Sequence, residues 1–293
     1  DFFMKNGKMP ILGYNNSGNT QTVDINPESA YSETGYSTED DVRATNWHYA
    51  VAGSKASGDS HVVAPKNTFN MYCNREPRFY ISVVYNEQYH WGKGKTTNFF
   101  FNGEDGQPSH DNPSAGYLIR KHVDPTFVHS TNTGTYKSRQ GILYRLAEAY
   151  LSYAESALEY SMAKGTYDVD KADIVKYINK IRERAGIPQY GTSGLEIPTD
   201  PKEMRKLIRR ERRVEMNCEG GLRWFDLRRW KEAEDVLDGN FYGMNMLAEK
   251  GNRDEFYKRV RYQTRKFKSY WWPIPQNEID KNPNLKQMPG WMN

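Results

Sequence analysis

Cysteine and long apolar runs are nearly absent from this chain of 293 residues. Its two cysteines, Cys73 and Cys218, form neither a CxxC pair nor a zinc-ligand spacing. The sequence leaves open whether they form a disulfide or remain free thiols. No apolar run approaches the roughly 20 residues that a membrane-spanning helix requires. We therefore expect no cysteine-based metal site and no helix that crosses a membrane.

An excess of one charge is also missing, because 41 basic residues face 37 acidic ones and the net charge is +4. This balance gives no argument for a nucleic-acid partner. A basic stripe interleaved with aromatic residues between positions 257 and 270 could bind single-stranded nucleic acid. A strand whose long cationic side chains cover core aromatics explains the same pattern and is favoured. We predict no nucleic-acid partner.

Catalytic motifs are lacking as well. The segment 92–96 reads GKGKT, but the first glycine of a phosphate-binding loop would fall on Tyr89, so a turn between strands is the better account. None of the six histidines has the spacing of an HExxH zinc site. The loop acids at 39–41 and 104–105 could serve a glycosidase only if two carboxyls lay roughly 5–9.5 Å apart across a cleft. Solvated acids are the simpler interpretation, and we predict no enzyme, no cofactor and no bound metal.

Aromatic residues, by contrast, are abundant: they make up 14% of the chain, against a total hydrophobic content of 37%. Rings therefore supply much of the apolar area. Residues 1–135 combine them with Asn, Gly, Ser and Thr and show little helical periodicity. Within this part, residues 79–85 (FYISVVY) predict a strand. We expect long structured loops around a few short strands here.

Helical periodicity begins near Gln140. Apolar residues at spacings of three and four predict one helix over residues 143–158 and a second over 172–185. Alanines on the facing stripes allow close approach, as in a tetratricopeptide-like helical hairpin. A third helix is predicted to begin at Asp200, which caps it and precedes Pro201 at the first helical position. The proline-rich tail is expected to lie extended across the surface, pinned by Trp271, Trp272, Ile274 and Leu285.

Residues 211–230 (ERRVEMNCEGGLRWFDLRRW), hereafter the charged segment, mix charged and large apolar side chains more densely than a solvated charge run does. The apolar groups must be buried, and they carry charged neighbours towards the core. Buried charges have to be paired and hydrogen-bonded. The segment thus predicts a structural ion-pair network made by Glu211, Arg212, Glu215, Glu219, Arg223 and Asp226. We expect the members to be mostly buried and mutually paired, above all Glu211, Glu215, Arg223 and Asp226.

The charged segment resembles the hallmark of the SusD/RagB family of outer-membrane nutrient-binding lipoproteins, through Glu211-Arg212, Glu215, Glu219-Gly220, Arg223 and the run from Asp226 to Trp230. Four further segments resemble this family in the expected order: PRFY to YN at 77–86, LAEAYL with AE at 146–155, INKIR with AG at 178–186, and PIP to PG at 273–290. Trp291 stands where the family usually has tyrosine. Together the five segments cover residues 77–291, the C-terminal portion of such a protein.

The resemblance implies a fold that is mainly α, with a tetratricopeptide-like helical hairpin scaffold, long loops and a few short strands. We expect residues 1–135 to form a loop- and short-strand-rich, ligand-facing region, and residues 136–293 a helical scaffold with an extended C-terminal tail. Both would belong to one continuous SusD-like domain whose N-terminal part is missing.

The same resemblance implies a non-catalytic protein of the outer membrane, at the cell surface. It would bind glycans for delivery to a SusC-like TonB-dependent transporter, and it would contact the membrane only through a lipid anchor absent from this chain. Two alternatives remain open: a peptide-binding member of the same family, or a tetratricopeptide-like protein-interaction scaffold without a small ligand.

Rings in the loop-rich part are the candidate ligand contacts: Trp47, Tyr49, Tyr89 and Trp91. Flat rings stack on sugar faces, and neighbouring polar groups, here Asn86 and His90, can bind the hydroxyls. The competing interpretation is that such rings fill a core that is poor in aliphatic residues. Rings after residue 140 are expected to fall on helical stripes or beside the charged segment. We therefore predict the ligand surface among residues 30–110.

Overall fold

Short strands occupy much of the first part of the chain, and the long helices follow residue 145. The computed structural model describes residues 2–44, 56–57, 60–90, 95–108, 110, 112–123 and 141–291. In chain order the elements are β1 (Ile11–Ser17), β2 (Thr20–Ile25), β3 (Asp41–Ala44), β4 (Ala56–Ser57), β5 (Ser60–Ala64), α1 (Pro77–Ser82), β6 (Val83–Tyr85), β7 (Tyr89–His90), β8 (Lys95–Thr96), β9 (Tyr117–Ile119), α2 (Leu146–Lys164), α3 (Tyr167–Arg184), α4 (Pro201–Glu215), α5 (Leu222–Arg229), α6 (Ala233–Leu237), β10 (Gly239–Met244), α7 (Arg253–Phe256), β11 (Arg259–Arg265) and α8 (Gln276–Lys281).

The largest sheet joins the two ends of the chain. Its four antiparallel strands lie in the order β1-β2-β11-β10, and Arg259 of β11 pairs with Gln21 of β2. The basic stripe forms strand β11, as expected. The guanidinium of Arg265 lies 4.6 Å from the ring centroid of Phe241, so the charged head, rather than the stem, lies over a half-buried ring of the neighbouring strand. The strands are more extensive than the few short ones predicted, and the described fold is a mixture of helices and sheets.

Aromatic rings fill the core beneath these strands. The rings of Phe69 and Tyr257 stack at 3.9 Å, and those of Tyr72 and Tyr85 at 4.2 Å. This confirms that rings replace aliphatic side chains in the core of the strand-rich part. Because the stacked residues come from distant parts of the sequence, the core ties its loops together.

One predicted strand is largely a helix. Residues 77–82 form α1, and only Val83–Tyr85 are extended. Pro77 sits in the first turn of α1, where its fixed φ angle suits a helix and its missing N–H costs nothing. The β-branched and aromatic residues of 79–85 were therefore a misleading signal, because the proline before them starts a helix.

The helical hairpin is confirmed, and α4 packs against it as a third helix. Leu151 and Leu158 of α2 and Ile178 of α3 are fully buried at the contact. Helix α4 begins at Pro201, and the Asp200 carboxylate accepts a hydrogen bond from the Lys202 backbone N–H at 2.8 Å, as expected of a cap.

The predicted ends of two segments need correction. Helix α2 begins at Leu146, and Leu143, which is 99% exposed, lies before it. The tail contains helix α8, and Trp271 and Trp272 are 58% and 63% exposed, so these rings do not pin it. Periodicity alone does not tell a buried apolar residue from an exposed one just outside a helix.

The charged segment forms a buried ion-pair network, but its three glutamates pair with cations from outside the segment, and only Asp226 pairs with arginines within it. Arg78 Nη1 lies 2.6 Å from Glu211 Oε1 and 3.0 Å from Glu215 Oε2. Burial by itself would raise the pKa of Glu215, yet Arg78, Arg184 and Arg145 hold it below its ordinary value.

Asp226 and Arg223 differ in this network. Asp226 is buried and pairs with Arg212 Nε at 2.7 Å, as predicted for an acid of the charged segment. The prediction for Arg223 was wrong: this residue is half-buried, and its guanidinium lies 5.8 Å from the ring centroid of Trp230. Asp226 is bound by Arg212 and Arg229 instead.

The two cysteines are separate thiols. Cys73 is buried and Cys218 is exposed, and neither forms a disulfide. Burial raises the pKa of the Cys73 thiol to about 11. Within the described ranges, no helix is both long and apolar enough to cross a membrane.

Candidate ligand-binding site

A hairpin made by β7 and β8, which follow β6 in the chain, carries the best-placed of the predicted ligand contacts. Its base is fixed by buried polar groups: the Tyr85 N–H donates to Gln88 Oε1 at 3.2 Å, and the Thr97 hydroxyl donates to the Tyr85 carbonyl at 2.7 Å. Because these groups are shielded from water, their hydrogen bonds hold the base in one conformation. The strands β7 and β8 extend beyond this base.

Asn86 belongs to the base of the hairpin rather than to its surface. Its side chain is buried, and its Oδ1 accepts a hydrogen bond from the Phe99 backbone N–H at 2.7 Å. This differs from the predicted contact with a ligand hydroxyl. Asn86 instead ties the turn to the loop that follows β8, which a short amide can do because it mimics a backbone carbonyl.

Tyr89 is the exposed ring of this hairpin. It pairs with Thr96 across β7 and β8, and 38% of its surface is accessible to solvent. His90 pairs with Lys95 in the next register position. Three other predicted contacts, Trp47, Tyr49 and Trp91, lie outside the described residues, as does the side chain of His90. Of the predicted turn at 92–96, residues 92–94 lie outside the described residues, and Lys95–Thr96 form strand β8.

A polar cluster that the sequence did not indicate lies at the turn between β6 and β7. Glu87 Oε2 is 2.7 Å from Arg253 Nη2 and accepts a hydrogen bond from the Tyr257 hydroxyl at 3.1 Å. The Arg253 guanidinium in turn lies 4.1 Å from the ring centroid of Tyr36. Glu87 and Arg253 are 166 residues apart in the sequence, and no local pattern links them.

The hydroxyl of Tyr36 is a neutral hydrogen-bond donor at this cluster. It donates to Asp254 Oδ1 at 2.7 Å. Burial, followed by this hydrogen bond, raises the pKa of Tyr36 well above its ordinary value. The cluster therefore presents a protonated tyrosine, a guanidinium and carboxylates, which are groups that can bind hydroxyls.

The loop acids considered for catalysis have structural partners. Asp41 pairs with Arg43 at 2.6 Å, and Glu104 pairs with Lys95 at 2.5 Å. The carboxylate of Asp40 accepts a hydrogen bond from the Lys66 backbone N–H. Within the described ranges, no group of three or more His, Cys, Asp or Glu side chains could hold a metal ion.

Two rings of the charged segment, whose apolar groups were expected to be buried, are exposed. Phe225 is 57% exposed, and Trp224 is exposed on the same short helix. Helix α5 buries Asp226 and Leu227 on one side, and Trp224 and Phe225 lie on the side that faces solvent. The prediction that the apolar groups of the charged segment are buried was thus wrong for Trp224 and Phe225.

Comparisons with known proteins agree with this fold. The model of the SusD family matches residues 2–291, and the chain belongs to that family. A SusD-like protein P2 from Formosa agariphila is 30% identical over 156 residues, which cover 53% of this chain and 26% of that protein.

Solved structures match over a larger part of the chain. BT4246 has a TM-score of 0.68 at 24% identity, over 99% of this chain and 44% of its own. A SusD-like protein from Bacteroides fragilis has a TM-score of 0.59 at 26% identity, over 83% of this chain and 46% of its own. A SusD-like carbohydrate binding protein from the same species has a TM-score of 0.56 at 22% identity, over 83% and 48%. The chain thus spans less than half the length of these proteins.

Proposed function

We propose that this chain binds glycans at the cell surface without turning them over, and that it delivers them to a SusC-like TonB-dependent transporter of the outer membrane. Membership of the SusD family over residues 2–291 supports the class of function. The name of one structural neighbour, a carbohydrate binding protein, points to the same ligand class.

The observation that carries the proposal is the exposed ring of Tyr89 on a hairpin with a fixed base. A ring that is held in place loses little conformational entropy when a sugar stacks on it. Arg253, which pairs with Glu87 two residues before Tyr89, and Tyr36, which contacts Arg253, supply guanidinium and hydroxyl groups that can then bind sugar hydroxyls. We include His90 and Trp91 in the same proposed surface because they follow Tyr89 in the sequence, and Trp47 and Tyr49 because they are rings of the same loop-rich part of the chain.

Replacement of Tyr89 with alanine is expected to weaken glycan binding roughly five- to thirtyfold, which corresponds to about 1–2 kcal/mol for one lost ring contact. The fold should keep its stability because the ring is exposed. Affinity electrophoresis and calorimetry against a panel of neutral and acidic polysaccharides, with a peptide library in parallel, measure the effect. Tyr160→Ala is the matched control, since Tyr160 is 64% exposed on α2.

Two results would contradict the glycan assignment. The first is binding of peptides with no binding of any polysaccharide. The second is the appearance of shorter sugars during incubation, which chromatography would detect. A binding protein leaves its ligand intact. Equal affinities of Tyr89→Ala and the parent would remove Tyr89 from the site while leaving the ligand class in place.

A transporter partner is expected to co-purify with the full protein from native outer membranes in mild detergent. The contact is proposed to use the helical surface rather than the hairpin, so that the ligand site stays accessible. The full protein should therefore bring down a TonB-dependent barrel, and Tyr89→Ala should bring it down equally well. Recovery of the protein alone from the soluble cytosolic fraction would refute the role as a transporter subunit.

A further inference from the structure

A second exposed aromatic surface lies where α5 meets the C-terminal tail. We call it the α5–tail face, and it consists of Trp224, Phe225, Arg228, Lys231, Tyr270 and Trp272. The ring centroids of Trp224 and Trp272 are 6.4 Å apart, and their planes are inclined by 52°. All three of Trp224, Phe225 and Trp272 are exposed to solvent, which is uncommon for such large apolar side chains.

Cations lie between these rings. The Arg228 guanidinium is 5.3 Å from the ring centroid of Trp224 and 5.1 Å from that of Trp272. The ammonium of Lys231 is 4.4 Å from the ring centroid of Tyr270. Arg228 Nη1 donates to the Ser269 carbonyl at 3.0 Å, which fixes the guanidinium against the tail. The face is therefore a series of rings separated by positive charges.

Arg228 and Lys231 differ from Arg212 and Arg229, the two arginines nearby that bind acids. Arg212 and Arg229 pair with Asp226, and Arg229 also pairs with Glu155 at 2.6 Å. Among the described residues, neither Arg228 nor Lys231 has a carboxylate within ion-pair distance. An anionic group that reached the α5–tail face would meet two positive charges that no acid of the described chain neutralises.

We propose that the α5–tail face is a second glycan-binding surface that accepts acidic oligosaccharides. The exposed rings stack on sugar faces, and Arg228 and Lys231 bind the carboxylate or sulfate groups between them. Guanidinium groups suit this role, because they form paired hydrogen bonds with planar carboxylates and with sulfate oxygens. The inference rests on the proposed function, because it assumes a glycan ligand. It adds that the ligand is acidic and that it binds at a place on the protein other than the hairpin.

A protein partner is the competing occupant, since tryptophan and arginine are also common at protein interfaces. The lysine within the face favours a glycan, because the centres of protein interfaces are depleted of lysine. Self-association through the α5–tail face is therefore an outcome that the experiment has to distinguish. Sedimentation of the parent and of Trp272→Ala at several protein concentrations does so.

The binding test uses calorimetry of the full chain with oligogalacturonates as the uronate probe, sulfated galactan oligosaccharides as the sulfate probe, and malto-oligosaccharides of matched length as the neutral probe. Trp272→Ala is expected to weaken binding of the acidic probes about tenfold. Arg228→Gln should weaken the acidic probes only, and it should reduce the loss of affinity that the parent shows with added salt. Whichever acidic probe binds more tightly identifies the anionic group.

Matched controls come from another helix and from the hairpin. Tyr160 on α2 is exposed beside Lys164, whose ammonium is 5.8 Å from its ring centroid, so Tyr160→Ala and Lys164→Gln remove a similar ring and cation elsewhere. Both controls should bind the acidic probes like the parent. Tyr89→Ala should retain the Arg228-dependent component of binding.

The outcomes separate the two proposals. Loss of acidic-probe affinity in both Trp272→Ala and Arg228→Gln supports the α5–tail face. Parent-like affinity in both variants, with loss in Tyr89→Ala, overturns the second surface and leaves glycan binding in place. Failure of every glycan to bind the parent refutes the proposed function as well. A dimer that Trp272→Ala dissociates, with no effect on the glycans, assigns the face to self-association instead.

Discussion

Replacement of Arg78 with alanine is expected to lower the free energy of unfolding by about 3–5 kcal/mol, the usual cost of removing one partner from a buried ion pair. Arg78 is buried, and its guanidinium reaches Glu76 at 2.6 Å as well as Glu211 and Glu215. The alanine variant would leave these carboxylates in the core without their shared cation. Urea denaturation measures the change.

The pH dependence of the Arg78→Ala deficit tests this cause directly. Burial already raises the pKa of Glu76, and Arg78 opposes that rise. Without Arg78, the folded-state pKa of Glu76 should rise further above its unfolded value. A group shifted in this direction stabilises the fold below its unfolded pKa and loses that contribution as pH rises through the folded pKa. The deficit relative to the parent should thus be smaller near about pH 4.5 than near about pH 8.

Two further variants complete this experiment. Glu76→Gln in the Arg78→Ala background should recover part of the stability at neutral pH, because it removes one stranded charge. Arg205→Ala removes an arginine from a surface pair with Glu159, at 2.6 Å, and should cost no more than about 1 kcal/mol. An Arg78→Ala protein with the urea midpoint of its parent would show that the charged segment is not what holds the fold.

Replacement of Leu158 with alanine is expected to destabilise the fold by about 2–5 kcal/mol, because it opens a cavity that the helices cannot fully close. Leu158 is completely buried in α2, in a cluster that includes Ile174 and Ile178 of α3 and Ile208 of α4. The urea midpoint should fall while the slope of the transition stays the same, since the unfolded state is unaffected.

Tyr160→Ala is the control for Leu158→Ala, because it removes a larger side chain two positions away on the exposed side of α2. Its midpoint should remain within about 0.5 kcal/mol of the parent. Similar losses in both variants would mean that α2 is stabilised by helix propensity rather than by packing. Because the aromatic core under the hairpin is a separate cluster, Leu158→Ala should leave glycan affinity unchanged under conditions where it is folded.

The helices, the aromatic core and the hairpin show which features of the structure a local sequence pattern predicts and which it does not. Periodicity located α2, α3 and α4, because each helix depends on residues three and four positions apart. The aromatic content predicted that rings would build the core, and Tyr72 stacked on Tyr85 bears this out. By contrast, Asn86 looked like a surface polar group until its hydrogen bond to Phe99 placed it inside.

What the sequence determined by itself is therefore the three long helices α2, α3 and α4, the family and the need to pair the buried acids of the charged segment. Only the tertiary structure decided which cations do the pairing. Arg78 and Glu215 are 137 residues apart, and no local spacing selects one arginine over another at that range. The same holds for exposure: Trp224, Trp272 and Tyr89 differ from the buried rings in what packs over them. Packing depends on the arrangement of whole elements, which the residues around a single ring do not encode.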